Sequence, residues 1–174
     1  ITAIGDVPPF DNTAMDGFAV RSVDTVGSPV ELVVVGTLPA GVPPEVGVGP
    51  GEAVRIMTGA VMPPGADSVV MVERTTASDD GATVTVEVEV GPGNHVRWAG
   101  EDLRAGDEVF PPGTVLGPGH IGVLASIGRM EVPVFGRPTV GVLSTGDELV
   151  DGPVGLAPGQ IRDANRHALL SLLE

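Results

Sequence analysis

From Thr83 to Val90 the chain alternates valine with threonine or glutamate, placing Val84, Val86, Val88 and Val90 on one side and Thr85, Glu87 and Glu89 on the other. A period of two predicts a strand with one buried and one wet face, because successive side chains of an extended chain point oppositely. Shorter β-prone runs at Glu31–Val35, Ala53–Met57 and Ser68–Val72 are bounded by glycine and proline and predict further strands. His95–Trp98 predicts another, ending before Gly100. In Gly119–Ile127, Ile121, Leu124, Ala125 and Ile127 supply the apolar surface of a short helix that Gly128 can stop. At Arg137-Pro138 the pattern changes. Thr139–Leu143 is a nearly continuous apolar run, as in a buried parallel strand, and empties into the polar Ser144–Glu148. A last helix is predicted from Asp163, its cap, through Leu173. These elements predict a mixed α/β, multi-domain chain: a β-rich body, then the first strand and helix of an α/β domain whose remaining strands are expected to lie beyond Glu174.

Composition narrows the chemistry. Glycine (26) and proline (17) make about a quarter of the 174 residues without a collagen period, which suits many turns. The nine basic residues, all arginine, face 23 acidic ones, and a net charge of -14 argues against general nucleic-acid binding. That balance still leaves room for a small anion held by an arginine, backbone N–H groups or a metal. With no cysteine there is no disulfide, thiolate nucleophile or thiolate metal site. The three histidines, His95, His120 and His167, are too dispersed for a zinc-protease motif and are assigned packing or surface roles. No 18-residue apolar run is present, so no spanning helix and no membrane partner are expected.

Four segments carry candidate chemistry. In Asp11–Ala19, Asp16 either ends a turn or presents a fixed carboxylate to a hard cation such as Mg²⁺, with Phe18 anchoring the segment. In Arg55–Asp67, a strand running into Thr58-Gly59 would put a hydroxyl and N–H groups at a sheet end, a setting for anions. Arg55 could add bidentate phosphate contacts. Thr58 is favoured over it, because the two would alternate to opposite faces if the strand continued that far. In Arg97–Asp102, Gly100 could aim Glu101 and Asp102 into a cleft with Arg97 neutralising them; the competing reading is a solvated turn packed on Trp98. In Thr145–Val150, Asp147 or Glu148 stands at the carboxyl end of the predicted strand, where open α/β sheets bind ligands. Otherwise Asp147 caps a turn and Glu148 is solvated. Arg162 and Asn165 are weaker candidates for the same crevice.

Taken in order, Pro9–Val20, Arg55–Ala60, Gly100–Asp102, Leu143–Leu149 and Gln160–Asn165 closely resemble the molybdopterin molybdenumtransferase family, which includes the MoeA proteins and the C-terminal domain of gephyrin. The resemblance implies a cytoplasmic enzyme of molybdenum cofactor biosynthesis. It would take molybdate and adenylylated molybdopterin, release AMP and install molybdenum on the dithiolene with the help of Mg²⁺. It implies catalytic roles for Asp16, Thr58, Asp102 and Glu148, cofactor contacts from Thr58, Asp147 and Glu148, and metal contacts from Asp16 and Glu148. It further implies a homodimer, with a molybdopterin adenylyltransferase and molybdoenzymes as possible partners. The corresponding division is a linker segment at 1–28, a β-rich domain at 29–110, a return through the linker domain at 111–136, and the start of a molybdopterin-binding α/β domain at 137–174. Its continuation and a further small β domain are expected beyond Glu174, so this chain alone is expected to be inactive. The resemblance also implies a helix before the opening motif, which is expected to be missing or shortened in this chain. The competing readings are a noncatalytic gephyrin-like scaffold and, more remotely, a carboxylate-dependent hydrolase.

Overall fold

β-branched residues build most of the extended structure in the computed structural model, which describes residues 1–173 and separates into two units, Ile1–Val132 and the segment from Pro133 onward. The first unit contains β1 (Asn12–Thr13), β2 (Gly17–Val20), β3 (Val30–Leu38), β4 (Glu52–Ile56), β5 (Ser68–Met71), β6 (Thr75–Ala77), β7 (Thr83–Val86), β8 (Val96–Arg97) and the helix α1 (Pro118–Ser126). Six strands form one sheet in the order β5-β2-β4-β3-β7-β6, while β1 and β8 pair separately. Within the large sheet only β3 and β4 run parallel.

Strand alternation divides the sheet's apolar residues into two cores. Phe18, Val20, Leu32, Ala53, Val70, Val84 and Val86 form one cluster. Ala19, Leu38, Val48, Val54, Ile56, Ala60 and Val69 form the other. β2 is buried along its whole length because it lies between β4 and β5 and supplies side chains to both clusters. A third cluster joins Ala3 to Leu124 and Ile127 of the α1 region, so the opening residues pack with the end of the unit. The Val7 N–H donates to Leu103 O at 2.8 Å and the Val109 N–H to Ile1 O at 2.9 Å, tying the same segments through the backbone.

The predicted strands at 31–35, 53–57 and 68–72 appear with small changes of boundary. The Thr83–Val90 strand is cut short at Val86, because β3 begins at Val30 and Val86 is its partner there. Val88 and Val90 nevertheless pack on the first cluster. The Val90 N–H now donates to Thr25 Oγ1 at 3.0 Å instead of to a strand. In α1 the buried contacts come from Leu124 and, just beyond it, Ile127, while Ile121 and Ala125 are exposed. The helix therefore buries a narrower stripe than its sequence offers.

The second unit holds the short parallel pair β9 (Leu149–Val150) and β10 (Ile161–Arg162), then α2 (Ala164–Leu172). Here the expected strand at Thr139–Leu143 is absent. A parallel strand needs neighbours to take its backbone hydrogen bonds, and no described residue pairs with this run; Leu143 is 87% exposed. The predicted final helix does form, and Asp163 caps it by accepting the Arg166 N–H at 3.0 Å. Asp163→Ala should lower stability of this unit by about 0.5–2 kcal/mol, read as a loss of helical signal on heating; an unchanged melt would remove the cap from the account.

Asp67 carries a pH prediction for the first unit. Burial works against its charge, but the Ser22 N–H at 2.6 Å and hydroxyl at 2.8 Å, with help from Ser68, hold its carboxyl below the ordinary carboxylate value. A carboxyl more acidic when folded contributes stability that is complete above its unfolded pKa and is lost as pH falls through its folded one. Melting temperature should therefore drop on acidification below about pH 4. Asp67→Asn should flatten part of that drop, a comparison that melts from pH 7 to pH 2 would provide.

Candidate functional site

Asp16 and Thr58, 42 residues apart, meet where β2 begins and β4 ends. Asp16 immediately precedes β2, and the register sets Gly17 opposite Ile56, the last residue of β4. The chain then turns at Thr58-Gly59, with Gly59 at φ 82°, a left-handed conformation suited to glycine. The Thr58 N–H and hydroxyl both donate to Asp16 Oδ1, at 2.7 and 2.6 Å. The Thr58 hydroxyl foremost, then its N–H, hold the Asp16 carboxyl below the usual range despite an opposing effect of burial, and the charge of Arg55 acts in the same direction. The carboxylate is exposed and ionised at neutral pH. Its Oδ2 takes no hydrogen bond from any described residue.

The opening motif is shaped by its own side chains. Thr13 Oγ1 donates to Met15 O and accepts the Met15 N–H, making a tight turn just before Asp16. β1 pairs with β8 so that Asn12 lies opposite Arg97 and Thr13 opposite Val96. His95, at φ 55°, accepts the Ala14 N–H on its carbonyl.

That pairing connects Asp102 to the same segment. Asp102 Oδ2 is 2.5 Å from Arg97 Nη2 in an exposed ion pair, and the Asp102 N–H donates to Val7 O. Glu101 instead accepts the Trp98 N–H at 2.9 Å, and Asp11 accepts the Ala99 N–H at 2.8 Å. Trp98 is 49% exposed, at the rim rather than underneath the turn. The remaining histidine of this unit serves packing: His120 accepts the Gly117 N–H and meets the Phe110 ring edge-on at 4.9 Å.

Because β4 ends at Ile56, the alternation that would have opposed Arg55 to Thr58 does not reach Thr58. Arg55 lies opposite Phe18 in the register, with its guanidinium 5.0 Å from the ring centroid. Sequence reasoning set Arg55 behind Thr58; the signal that it belongs beside the aspartate was the strand register, which no local pattern carries.

In the second unit the two motifs around the predicted crevice come together. The Ile161 N–H donates to Glu148 O at 2.8 Å and the Asp163 N–H to Val150 O at 3.1 Å. The Ser144 hydroxyl foremost, then the Arg166 N–H, hold the Asp163 carboxyl below its ordinary range, burial opposing them and His167 adding to the shift. Glu148 curls back over Gly146, where a Cβ would come within 2.5 Å of Oε2. Asp147 is exposed and makes no side-chain hydrogen bond with a described residue. Arg162 turns away to the carbonyls of Gly152 and Val154, and Asp151 pairs with Arg166 and His167. Among the described residues no three His, Cys, Asp or Glu side chains cluster as a metal cage, and no helix is long and apolar enough to cross a membrane.

The six-stranded sheet, followed by a short parallel strand pair and a helix, is a fold shared with solved MoeA proteins. The family model of the MoeA N-terminal region (domain I and II) matches residues 1–128. The chain belongs to this family, that of the molybdopterin molybdenumtransferases, and corresponds to its N-terminal part. It is 46% identical over 169 residues to a molybdopterin molybdenumtransferase of Haemophilus influenzae, covering 97% of this chain and 41% of that protein. With the protein of the same name from Nostoc the identity is 43% over 173 residues, covering 97% and 39%. The crystal structure of the molybdopterin biosynthesis moeA protein from Pyrococcus horikoshii OT3 superposes with a TM-score of 0.90 at 35% identity, over 99% of this chain and 47% of that one. The chain thus spans about two-fifths of the length of these curated relatives.

Proposed function

We propose that the protein to which this chain contributes transfers molybdenum from molybdate into adenylylated molybdopterin with release of AMP, in molybdenum cofactor biosynthesis. The observation that carries this reading is the Asp16–Thr58 pair, an exposed, ionised carboxylate fixed by two short hydrogen bonds within a motif of this family. Thr58 orients Asp16 and keeps it deprotonated. Arg97 holds Asp102 on the strand pair that carries the opening motif. Asp147 and Glu148, at the start of the α/β segment, are assigned to the cofactor side of the reaction. The segment from 137 on is the beginning of the molybdopterin-binding α/β domain, 29–110 the β-rich domain, and 1–28 with 111–136 the linker; the chain alone is inactive.

The donors suit magnesium. Mg²⁺ commonly takes one or two carboxylates and completes its shell with water and substrate phosphate oxygens rather than with an all-protein cage. Asp16, with its unbonded Oδ2, is the carboxylate of the first unit that would hold it, and Glu148 is proposed separately as the metal-binding carboxylate of the second unit. When bound, Mg²⁺ would neutralise charge on the phosphoryl oxygens. The molybdenum itself is substrate, taken by the sulfurs of molybdopterin, so the lack of cysteine in this chain is no objection to the reaction. A cytoplasmic homodimer, receiving substrate from a molybdopterin adenylyltransferase and serving molybdoenzymes, completes the proposal.

The deciding experiment supplies the full-length protein with adenylylated molybdopterin, molybdate and Mg²⁺ and follows AMP and incorporated molybdenum together. Equal yields of both are expected. Partner binding with neither product would replace the enzyme reading by a scaffold.

A further inference from the structure

We infer that Arg55 is an oxyanion-binding residue, its guanidinium held over the Phe18 ring beside Asp16 to receive a tetrahedral oxyanion through its paired N–H donors. The assignment deepens the proposed reaction and rests on it, since each substrate brings such a group: molybdate itself, and the phosphoryl group of the adenylylated pterin.

The position of Arg55 is unusual for an arginine. It occupies the penultimate residue of β4, an interior strand of the sheet, opposite Phe18 in β2 and Thr37 in β3. It shares a face with Phe18 and with Ala53, both members of the first apolar cluster, so the half-buried stem lies along that core. A guanidinium 5.0 Å from an aromatic centroid gains a cation–π attraction that fixes its plane without using its donors.

Those donors have no other work among the described residues. Arg21, Arg97 and Arg166 each form an ion pair, whereas Arg55 has no carboxylate within ion-pair distance and donates no side-chain hydrogen bond. Arg74, Arg104, Arg129, Arg137 and Arg162 also lack an ion pair, and what sets Arg55 apart is its place on an interior strand with its guanidinium over Phe18. Asp16, whose charge Arg55 favours, is already engaged at Oδ1 by both Thr58 donors and makes no ion pair with the guanidinium. A planar, permanently charged fork with free N–H groups matches phosphate-like oxygens bidentately, which a lysine ammonium cannot do. An acidic carboxylate and a free guanidinium side by side can therefore serve one anionic substrate in two ways, the arginine on its oxygens directly and the aspartate through a cation.

Equilibrium dialysis of molybdate and of AMP, each separately, against full-length wild-type, Arg55→Met and Arg55→Lys proteins tests this. Arg55→Met should weaken one of the two anions at least about tenfold, with a melt showing the variant folded. Arg55→Lys should recover only part of that loss, because the charge is kept and the fork is not. Weakened AMP identifies the phosphoryl group as the ligand, and weakened molybdate the metal oxyanion. Wild-type affinity for both anions in Arg55→Lys overturns the bidentate role, even should Arg55→Met fail to fold. Wild-type affinity for both in folded Arg55→Met overturns the site. The binding measurement is independent of turnover: a wild-type protein that binds through Arg55 yet yields no AMP with molybdenum incorporation would sink the proposed reaction and leave the anion site standing.

Discussion

Asp16→Asn in the full-length protein is expected to slow molybdenum-coupled AMP release by roughly 100-fold or more, an effect of the size that cation-assisted charge stabilisation supplies. The melting temperature should move by no more than about 4 °C. The separation of the two effects follows from the hydrogen bonds. Asparagine keeps an Oδ1 that can accept both Thr58 donors, so the turn survives, while the negative charge that suits a hard cation disappears. Comparing turnover at saturating substrate under low and then high Mg²⁺ separates causes: partial rescue marks weakened cation binding, and no rescue marks a lost substrate contact. Unaltered metal-dependent turnover would remove Asp16 from the chemistry. Because the folded carboxyl lies below its usual range, turnover that needs its charge should survive acidification further than an ordinary carboxylate would allow.

Gly17→Ala is expected to be the most damaging single methyl in the sheet. A Cβ there would stand 2.1 Å from Val70 O and 2.9 Å from Val70 C, backbone atoms that cannot swing aside as a side-chain end can. β2 is bonded to β4 on one edge and β5 on the other, with Val69 and Val70 of β5 buried in opposite cores. Relief requires moving β5, and the cost should lie at or beyond the upper end of the ~1–3 kcal/mol usual for overpacking. For a chain of this size that is a fall of roughly 6–12 °C in melting temperature. Gly122→Ala provides the contrast. Its Cβ meets nothing within 4 Å and it sits inside α1, so about 0.5–1 kcal/mol of stabilisation is expected. Equal melts for the two variants would refute the steric argument.

The activity proposed for the pair at Asp16 and the sensitivity of Gly17 have one origin: β2 starts where the turn that carries Asp16 stops. Its close approach to β5 fixes the backbone on which the Asp16 carboxylate is presented, and the Val72 N–H closes the arrangement by donating to Asp16 O. Substitutions that loosen this strand should therefore disturb both properties together, whereas Asp16→Asn should disturb one.

Local pattern sufficed where the physics is local. The apolar and β-branched runs marked β3, β4, β5 and β7 within a few residues, and Asp163 was legible as a cap because a carboxylate meets N–H groups only three residues away. Asp16 and Thr58 stood out as polar residues in glycine-containing turns. Their meeting did not, because it depends on β2 pairing with β4 across more than thirty intervening residues. The same register brought Arg55 onto Phe18, and the β1–β8 pair brought the Arg97–Asp102 ion pair to the opening motif. Thr139–Leu143 shows the converse: strand-like residues without a hydrogen-bonding neighbour remain irregular. A sequence states each residue's preference for burial and for backbone conformation. Which strand lies beside which is decided by the summed hydrogen bonding and core packing of segments far apart in the chain, and those sums exist only once the sheet has closed its ladders.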